Sequence, residues 1–310
     1  MQQSLGAHIQ PMTYLKRWIV PSNESVWNKK MVYVFPYNKY EHIKQISVDN
    51  DFFKKDSYFW VVDENGVIDN KVEDVLSWEY ETNYWKVVDS LLNQIDSWIE
   101  GGTNTIRLSD ILWNELYKFL AYTFFRSPAW EIFWLTLESC FHQWWIEALN
   151  NPSAHFKLGK FHDESSESIY EWPNKVMVSK WYYNRVYLMN KETISRMQEW
   201  LKSMNMTLLY AGNANVKYIT NSEVFTLFER WETMQQTTYI VPLDPQLCIL
   251  IWWKIDTSHM KLSVNSDEQV KKLNWALLYS QVFKKFHPFI VANQKKEIEK
   301  LISEYDIKAF

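Results

Sequence analysis

The chain reads as an α+β protein, a central helical body packed with a mostly antiparallel sheet. Three observations predict this. Apolar residues recur at three- and four-residue spacing through 71–98, 109–126 and 129–149, the period of a helix with one buried face. β-branched and aromatic runs gather at 31–37 and again between 206 and 253, where strands are expected. Only 6 Gly and 9 Pro occur in 310 residues, too few for an architecture built of turns.

The elements follow in chain order. MVYVFPY at 31–37 is a β-rich run, 43–53 continues it in a mixed pattern, and YFWVV at 58–62 leads into Asp63-Glu64-Asn65-Gly66. An Asn-Gly pair between apolar runs predicts a hairpin, so a small antiparallel sheet is expected across 31–68. The first long helix, 71–98, stops at Gly101-Gly102, and Ser109 or Asp110 caps the second. Pro128 suits the first turn of the third. A polar surface excursion is expected at 150–174, then a helix over 191–204 with Ile194, Met197, Trp200 and Leu201 on one stripe. Strands are expected at 206–211, 216–220, 237–241 and 247–253. The last is apolar on both faces, as an inner strand is. Ser266 with Gln269 forms a capping box for a helix running to about 286, and a final helix is expected over 292–304. The chain is expected to form one domain across 1–310.

Composition excludes some functions. The net charge is −4 at pI about 6.0, so no global basic field draws the chain to nucleic acid. Contact with DNA would need a local patch, and doublets such as Lys16-Arg17 and Lys271-Lys272 are ordinarily solvated surface. Cys140 and Cys248 lie in apolar contexts, so both are expected buried and reduced. With no apolar leader and no uninterrupted apolar span, the expectation is a cytoplasmic protein away from membranes. Tryptophan is abundant, 18 residues beside 18 Tyr and 17 Phe. Most belong to core and rim, and a few are expected to make a slot for a flat ring.

Strong catalytic motifs are missing. The sequence has no Gly-rich phosphate loop, Cys-x-x-Cys, His-Glu-x-x-His or Gly-x-Ser-x-Gly. No metal and no cofactor are expected. The opening segment HIQPMTYLKRW at 8–18 sets His8, Tyr14 and Arg17 close in sequence. Imidazole shuttles protons near neutral pH, and guanidinium binds phosphate or carboxylate in two-pronged fashion. In the plainer reading His8 anchors the chain by a backbone hydrogen bond while Tyr14 and Leu15 pack. Arg126, before Ser127-Pro128 at the end of an apolar helix, needs a carboxylate, a phosphate or helix-end carbonyls. An ion pair with Glu73, Glu79 or Glu81 is the structural alternative. Asp244 in PLDP reads as a turn residue rather than a catalytic acid. Asn274, in mid-helix, reads as capping a neighbour's backbone or lining a cleft.

The opening segment, FLAYTFFRSP ending at Pro128, and YIVPLDPQLCILI at 239–251 together resemble the uncharacterised DUF4238 family. That family opens with His-x-x-Pro-x-x-Tyr-Leu, carries Arg-small-Pro at a mid-chain helix end, and later a Thr-Ser-Asp-like turn and Pro-Leu-x-Pro. The resemblance singles out His8, Glu73 and Arg126 as candidate catalytic residues. It sets Tyr14, Arg17, Trp18, Asn221, Ser222 and Asn274 as candidate substrate-binding residues. Thr220-Asn221-Ser222-Glu223 takes the place of the Thr-Ser-Asp-like turn and lacks its aspartate, unless Glu223 substitutes. Members occur in bacteria and viruses, which implies a part in host–virus defence.

Three functions are weighed. A nucleic-acid base-processing hydrolase, such as a DNA glycosylase excising a modified base, needs aromatic faces, polar groups to read the base, and a carboxylate or activated water. It would take DNA as partner. A module binding protein or nucleic acid would use the Trp-rich surface as an interface. A nuclease needs clustered carboxylates, and Asp63-Glu64, Asp163-Glu164 and Asp267-Glu268 look like surface pairs instead. The base-processing reading comes first.

Overall fold

The computed structural model describes residues 6–8, 12–21, 30–36, 42–56, 61–62, 68–69, 82–102, 105–106, 108–126, 191–222, 224–229, 238–253, 260–282 and 289–304. The expected helix at 129–149, the excursion at 150–174, Cys140 and Glu73 lie outside these residues.

The chain opens with strand β1 (Gly6–His8) and a single helical turn, α1 (Met12–Leu15), prolonged by a 3-10 turn, Lys16–Trp18. Strands β2 (Met31–Pro36), β3 (Lys44–Ser47), β4 (Lys54–Asp56), β5 (Val61–Val62) and β6 (Ile68–Asp69) follow. Helix α2 (Thr82–Glu100), strand β7 (Thr105–Ile106) and helix α3 (Asp110–Arg126) come next. The later part holds α4 (Lys191–Lys202), β8 (Met204–Tyr210), β9 (Thr220–Asn221) and β10 (Thr226–Glu229). It continues with β11 (Thr238–Asp244), β12 (Leu247–Trp253), β13 (Met260–Val264), α5 (Asp267–Val282), β14 (Phe289–Ala292) and α6 (Lys295–Glu304).

The helices stop and start where their chemistry dictates. Gly101 N–H reaches Ser97 O at 3.0 Å and Gly102, at φ 62°, donates to Ile99 O at 3.0 Å. Only a residue without Cβ takes that left-handed turn freely, and it closes α2. Ser109 caps α3, its Oγ accepting Leu112 N–H at 3.3 Å. The expected capping box is present: Gln269 Oε1 accepts Ser266 N–H at 2.9 Å, ahead of α5.

Two larger sheets result. The first has the order β10-β11-β12-β8-β13-β7, with every pair antiparallel except β13 on β8. The second, β3-β2-β14-β9, is wholly antiparallel. In β12, Leu247, Cys248, Ile249 and Ile251 are buried, as an inner strand requires, and Cys248 is a free thiol. Helix α2 packs on α3 and α3 on α4. One connected core runs from Tyr14 and Trp18 through α2, α3 and the first sheet to Leu301. Among the described residues no helix is long and apolar enough to cross a membrane.

Two expectations change. The stretch 216–220 is not a ladder strand; only Thr220 joins one, as the start of β9. Its polar backbone groups are claimed by side chains and by a turn: Val216 N–H by Asp267 at 3.4 Å, Tyr218 N–H by Pro245 O at 2.9 Å, and Ile219 N–H by Asn274 Oδ1 at 3.0 Å. A buried backbone must find partners, but nothing requires a neighbouring strand to provide them. The last helix begins at Lys295 rather than 292, because Phe289–Ala292 is a fully buried strand between β2 and β9.

Candidate active site

The turn between β11 and β12 is the organising point. Asp244 ends β11, and its Oδ1 accepts Gln246 N–H at 3.0 Å, folding the chain over Pro245. Two tyrosines from distant segments clamp the strand before it. Tyr14 Oη donates to Pro242 O at 2.9 Å and shares a 2.6 Å hydrogen bond with Thr220 Oγ1. Tyr84 Oη donates to Leu243 O. Tyr14 is fully buried. Tyr14→Phe should therefore lower stability by about 1–2 kcal/mol, leaving Pro242 O short of a donor. Urea unfolding measures this, and an unchanged midpoint would show that the hydroxyl is dispensable.

Arg17 lies beside the turn with its side chain 8% exposed. Its Nη2 donates to Asp89 Oδ1 at 2.5 Å and to Trp85 O at 3.2 Å. The guanidinium carbon sits 3.8 Å from the centre of the Trp85 ring, a cation–π stack. Trp85 and Asp89 are one helical turn apart on α2, so one face of that helix holds both. Asp244 Oδ2 is 3.7 Å from Arg17 Nη1, an ion-pair distance without a hydrogen bond. One guanidinium is thus bordered by two carboxylates, Asp244 buried and Asp89 half exposed.

Burial pushes the Asp244 carboxyl above the usual aspartate range, with the charge of Asp89 adding to it. The Gln246 N–H bond, Arg17 and Lys217 pull the other way without cancelling it. Tyr210, at the end of β8, is raised first by burial and then by the charges of Asp96 and Asp244. Lys217 Nζ donates to Ala211 O at 2.9 Å and Gly212 O at 3.1 Å, and burial lowers its pKa. Around the turn lie a buried carboxyl with a raised pKa, a second carboxylate across Arg17, and the Trp85 ring stacked on that guanidinium.

Gly212 lies against the Tyr210 ring. A Cβ there would fall 2.1 Å from Tyr210 Cζ, so the phenol ring lies directly against the glycine. Gly212→Ala should swing the ring away, at a cost of about 1 kcal/mol because the ring end can move. The phenol titration should then fall toward that of free tyrosine, read by ultraviolet absorbance. An unchanged titration would mean that the backbone shifts instead.

The structure brings some of the sequence candidates together. Tyr14, Arg17, Trp18 and Thr220 gather at the β11 end. Trp18 is fully buried, its ring 6.1 Å from that of Tyr14, and its Nε1 has no hydrogen-bond partner. Asn221 turns into the core, its Nδ2 donating to Thr226 Oγ1 and Leu277 O, both at 3.0 Å. Ser222 is buried and donates its N–H to Phe289 O at 3.0 Å. Asn274 grips the 217–219 segment, accepting from Ile219 N–H and donating to Lys217 O at 2.7 Å. The His8 backbone pairs with Lys54 and the Arg126 backbone ends α3. The side chains of His8 and Arg126, with Glu73 and Glu223, lie outside the described residues.

Sequence reasoning missed Asp89, Tyr210 and Lys217. The one available signal was Trp85-x-x-x-Asp89, an aromatic and an acid one turn apart on an expected helix. Asp244 is a turn residue as expected, but a buried one beside a guanidinium. Among the described residues no group of three or more His, Cys, Asp or Glu is placed to hold a metal ion. The family model described as "Protein of unknown function (DUF4238)" matches residues 8–304. No curated protein and no solved structure matches the chain.

Proposed function

This chain belongs to the DUF4238 family, and we propose that it is a hydrolase of N-glycosidic bonds in DNA, excising a modified base. The carrying observation is Asp244: a buried carboxyl with a raised pKa, one guanidinium away from the more exposed Asp89. Glycoside hydrolysis needs such a pair, one group to donate a proton and one to accept it. Burial keeps Asp244 protonated to higher pH, so it supplies the proton to the departing base nitrogen. Asp89 takes a proton from the water that adds to the sugar carbon. The bond from that carbon to the base breaks, its electron pair leaves with the base, and an abasic sugar remains. Arg17 is a positioning residue that holds both carboxylates.

A cytoplasmic enzyme of this kind must spare the ordinary bases of its host, which suits a defence role against modified viral DNA. The second reading, a non-enzymatic binding module, draws on a different observation. The amides of Asn221 and Asn274, candidate substrate-binding groups, are closed inside the protein by internal hydrogen bonds. The test is incubation with plain and base-modified duplexes, then alkaline cleavage and mass analysis of released bases. Release of a modified base supports the hydrolase. Tight binding of intact duplex without release supports the module.

A further inference from the structure

The Arg17 guanidinium is bonded on one side only. It meets α2 three times: Nη2 donates to Asp89 Oδ1 at 2.5 Å and to Trp85 O at 3.2 Å, and the Trp85 ring lies 3.8 Å from the guanidinium carbon. Trp85 supplies two of these three holds. On the other side stands Asp244, its Oδ2 3.7 Å from Nη1 and not hydrogen-bonded to it. Arg17 Nε is buried and has no hydrogen-bond partner. A movement of about 1 Å would bring Nη1 within bonding range of Asp244. A buried guanidinium so close to a carboxyl, and short of partners, ordinarily closes such a gap, because charge-assisted bonds strengthen away from water. Here the gap stays open.

The backbone around it is fastened. Tyr14, three residues before Arg17, donates to Pro242 O at 2.9 Å, and Tyr84, the residue before Trp85, donates to Leu243 O. The opening turn and α2 are therefore both tied to β11 within two residues of Asp244. Asp244 itself is fixed at Oδ1 by Gln246 N–H at 3.0 Å. With these segments set, the freedom to close the gap belongs to the Arg17 side chain, and the Trp85 ring covers its face.

We propose that Trp85 is a positioning residue, whose ring keeps the Arg17 guanidinium on α2 and out of hydrogen-bond contact with the Asp244 carboxyl. A guanidinium bonded to Asp244 would hold that carboxyl ionised and leave it no proton to give. Held off, it bonds Asp89 and touches Asp244 by charge alone. The ring thus makes unlike groups of two carboxylates that border one cation. The charged and titratable groups facing Asp244 are Arg17 from the opening turn, Asp89 from α2, Lys217 from the segment after β8, and Tyr210 from the end of β8. That this division serves proton donation to a base rests on the reading of Asp244 as the acid; the placement of Arg17 does not.

The test is nuclear magnetic resonance across pH in the whole protein. It follows the Arg17 Nε–H and the Asp244 carboxyl carbon, identified as the carbon whose titration is missing in Asp244→Asn. In the unaltered protein the Arg17 proton should carry the upfield displacement of an overlying indole and keep it while Asp244 titrates. Loss of that displacement as Asp244 ionises would show the guanidinium leaving the ring for the carboxyl and would overturn the proposal. Trp85→Leu keeps the backbone carbonyl and Asp89, and should lower the Asp244 titration by about 1 pH unit or more as Nη1 closes on it. Trp85→Phe, which keeps a ring face, should restore most of the difference. Adding Arg17→Gln to Trp85→Leu should reverse the fall, which a merely structural loss would not do. An unchanged Asp244 titration in folded Trp85→Leu, or a fall that survives Arg17→Gln, would overturn the role of the ring. If the titrations behave as expected and no base is released from any duplex, the positioning role stands and the hydrolase reading falls. If base is released, the high-pH limb of its rate should move down with the Asp244 titration in Trp85→Leu, and a limb that does not move would remove Trp85 from the reaction.

Discussion

Asn274→Leu should destabilise the protein by about 3 kcal/mol, a larger loss than most single substitutions cause. The side chain is 1% exposed and carries two bonds to one irregular segment, Ile219 N–H to Oδ1 at 3.0 Å and Nδ2 to Lys217 O at 2.7 Å. Leucine is close in volume, so the loss comes from two buried backbone groups left without partners, each costing about 1–3 kcal/mol. Urea unfolding measures it, and hydrogen exchange should place the weakening at Ile219. A loss below about 1 kcal/mol would mean that the segment finds other partners and that Asn274 is not its anchor.

Asp244→Asn should separate activity from stability. If Asp244 is the acid, base release should fall by about 10²- to 10⁴-fold, the range for losing a general acid. Stability should move the other way as pH rises. The folded pKa of Asp244 is raised by burial, so its contribution is intact at low pH and is lost as pH climbs through that value. Asparagine has no such loss, keeps the acceptor for Gln246 N–H, and should match the parent at acid pH and surpass it at alkaline pH. Denaturant midpoints across pH test this part, and the release assay tests the other. Full activity in Asp244→Asn would reduce Asp244 to a turn residue and remove the main support for the hydrolase.

What could be read from the sequence was local. The α3 cap at Ser109, the Ser266–Gln269 box and the Gly101-Gly102 stop depend on residues a few positions apart, and each is where the pattern put it. The 216–220 stretch has the composition of a strand, but its partners are an asparagine on α5 and the turn at Pro245. Composition cannot see partners so far along the chain. The same limit hid β14, whose four residues become a strand only because β2 and β9 flank them. The site was legible to the same extent. The opening segment and Thr220 were marked, and they do meet. The carboxylate that engages Arg17 is 72 residues away and carries no motif.

The Tyr14 clamp has a consequence for the timing of synthesis. Its hydroxyl partners lie 206 and 228 residues further along the chain. At roughly 5–20 residues per second, the opening helix leaves the ribosome about 11–46 s before the strand it must grip exists. Helices α2 and α3 can meet during that interval, but the Arg17 side of the site has no turn to close on. The nascent chain is therefore without its assembled carboxylate pair until the turn at 244–246 has emerged, and translation itself withholds the site until most of the protein has been made.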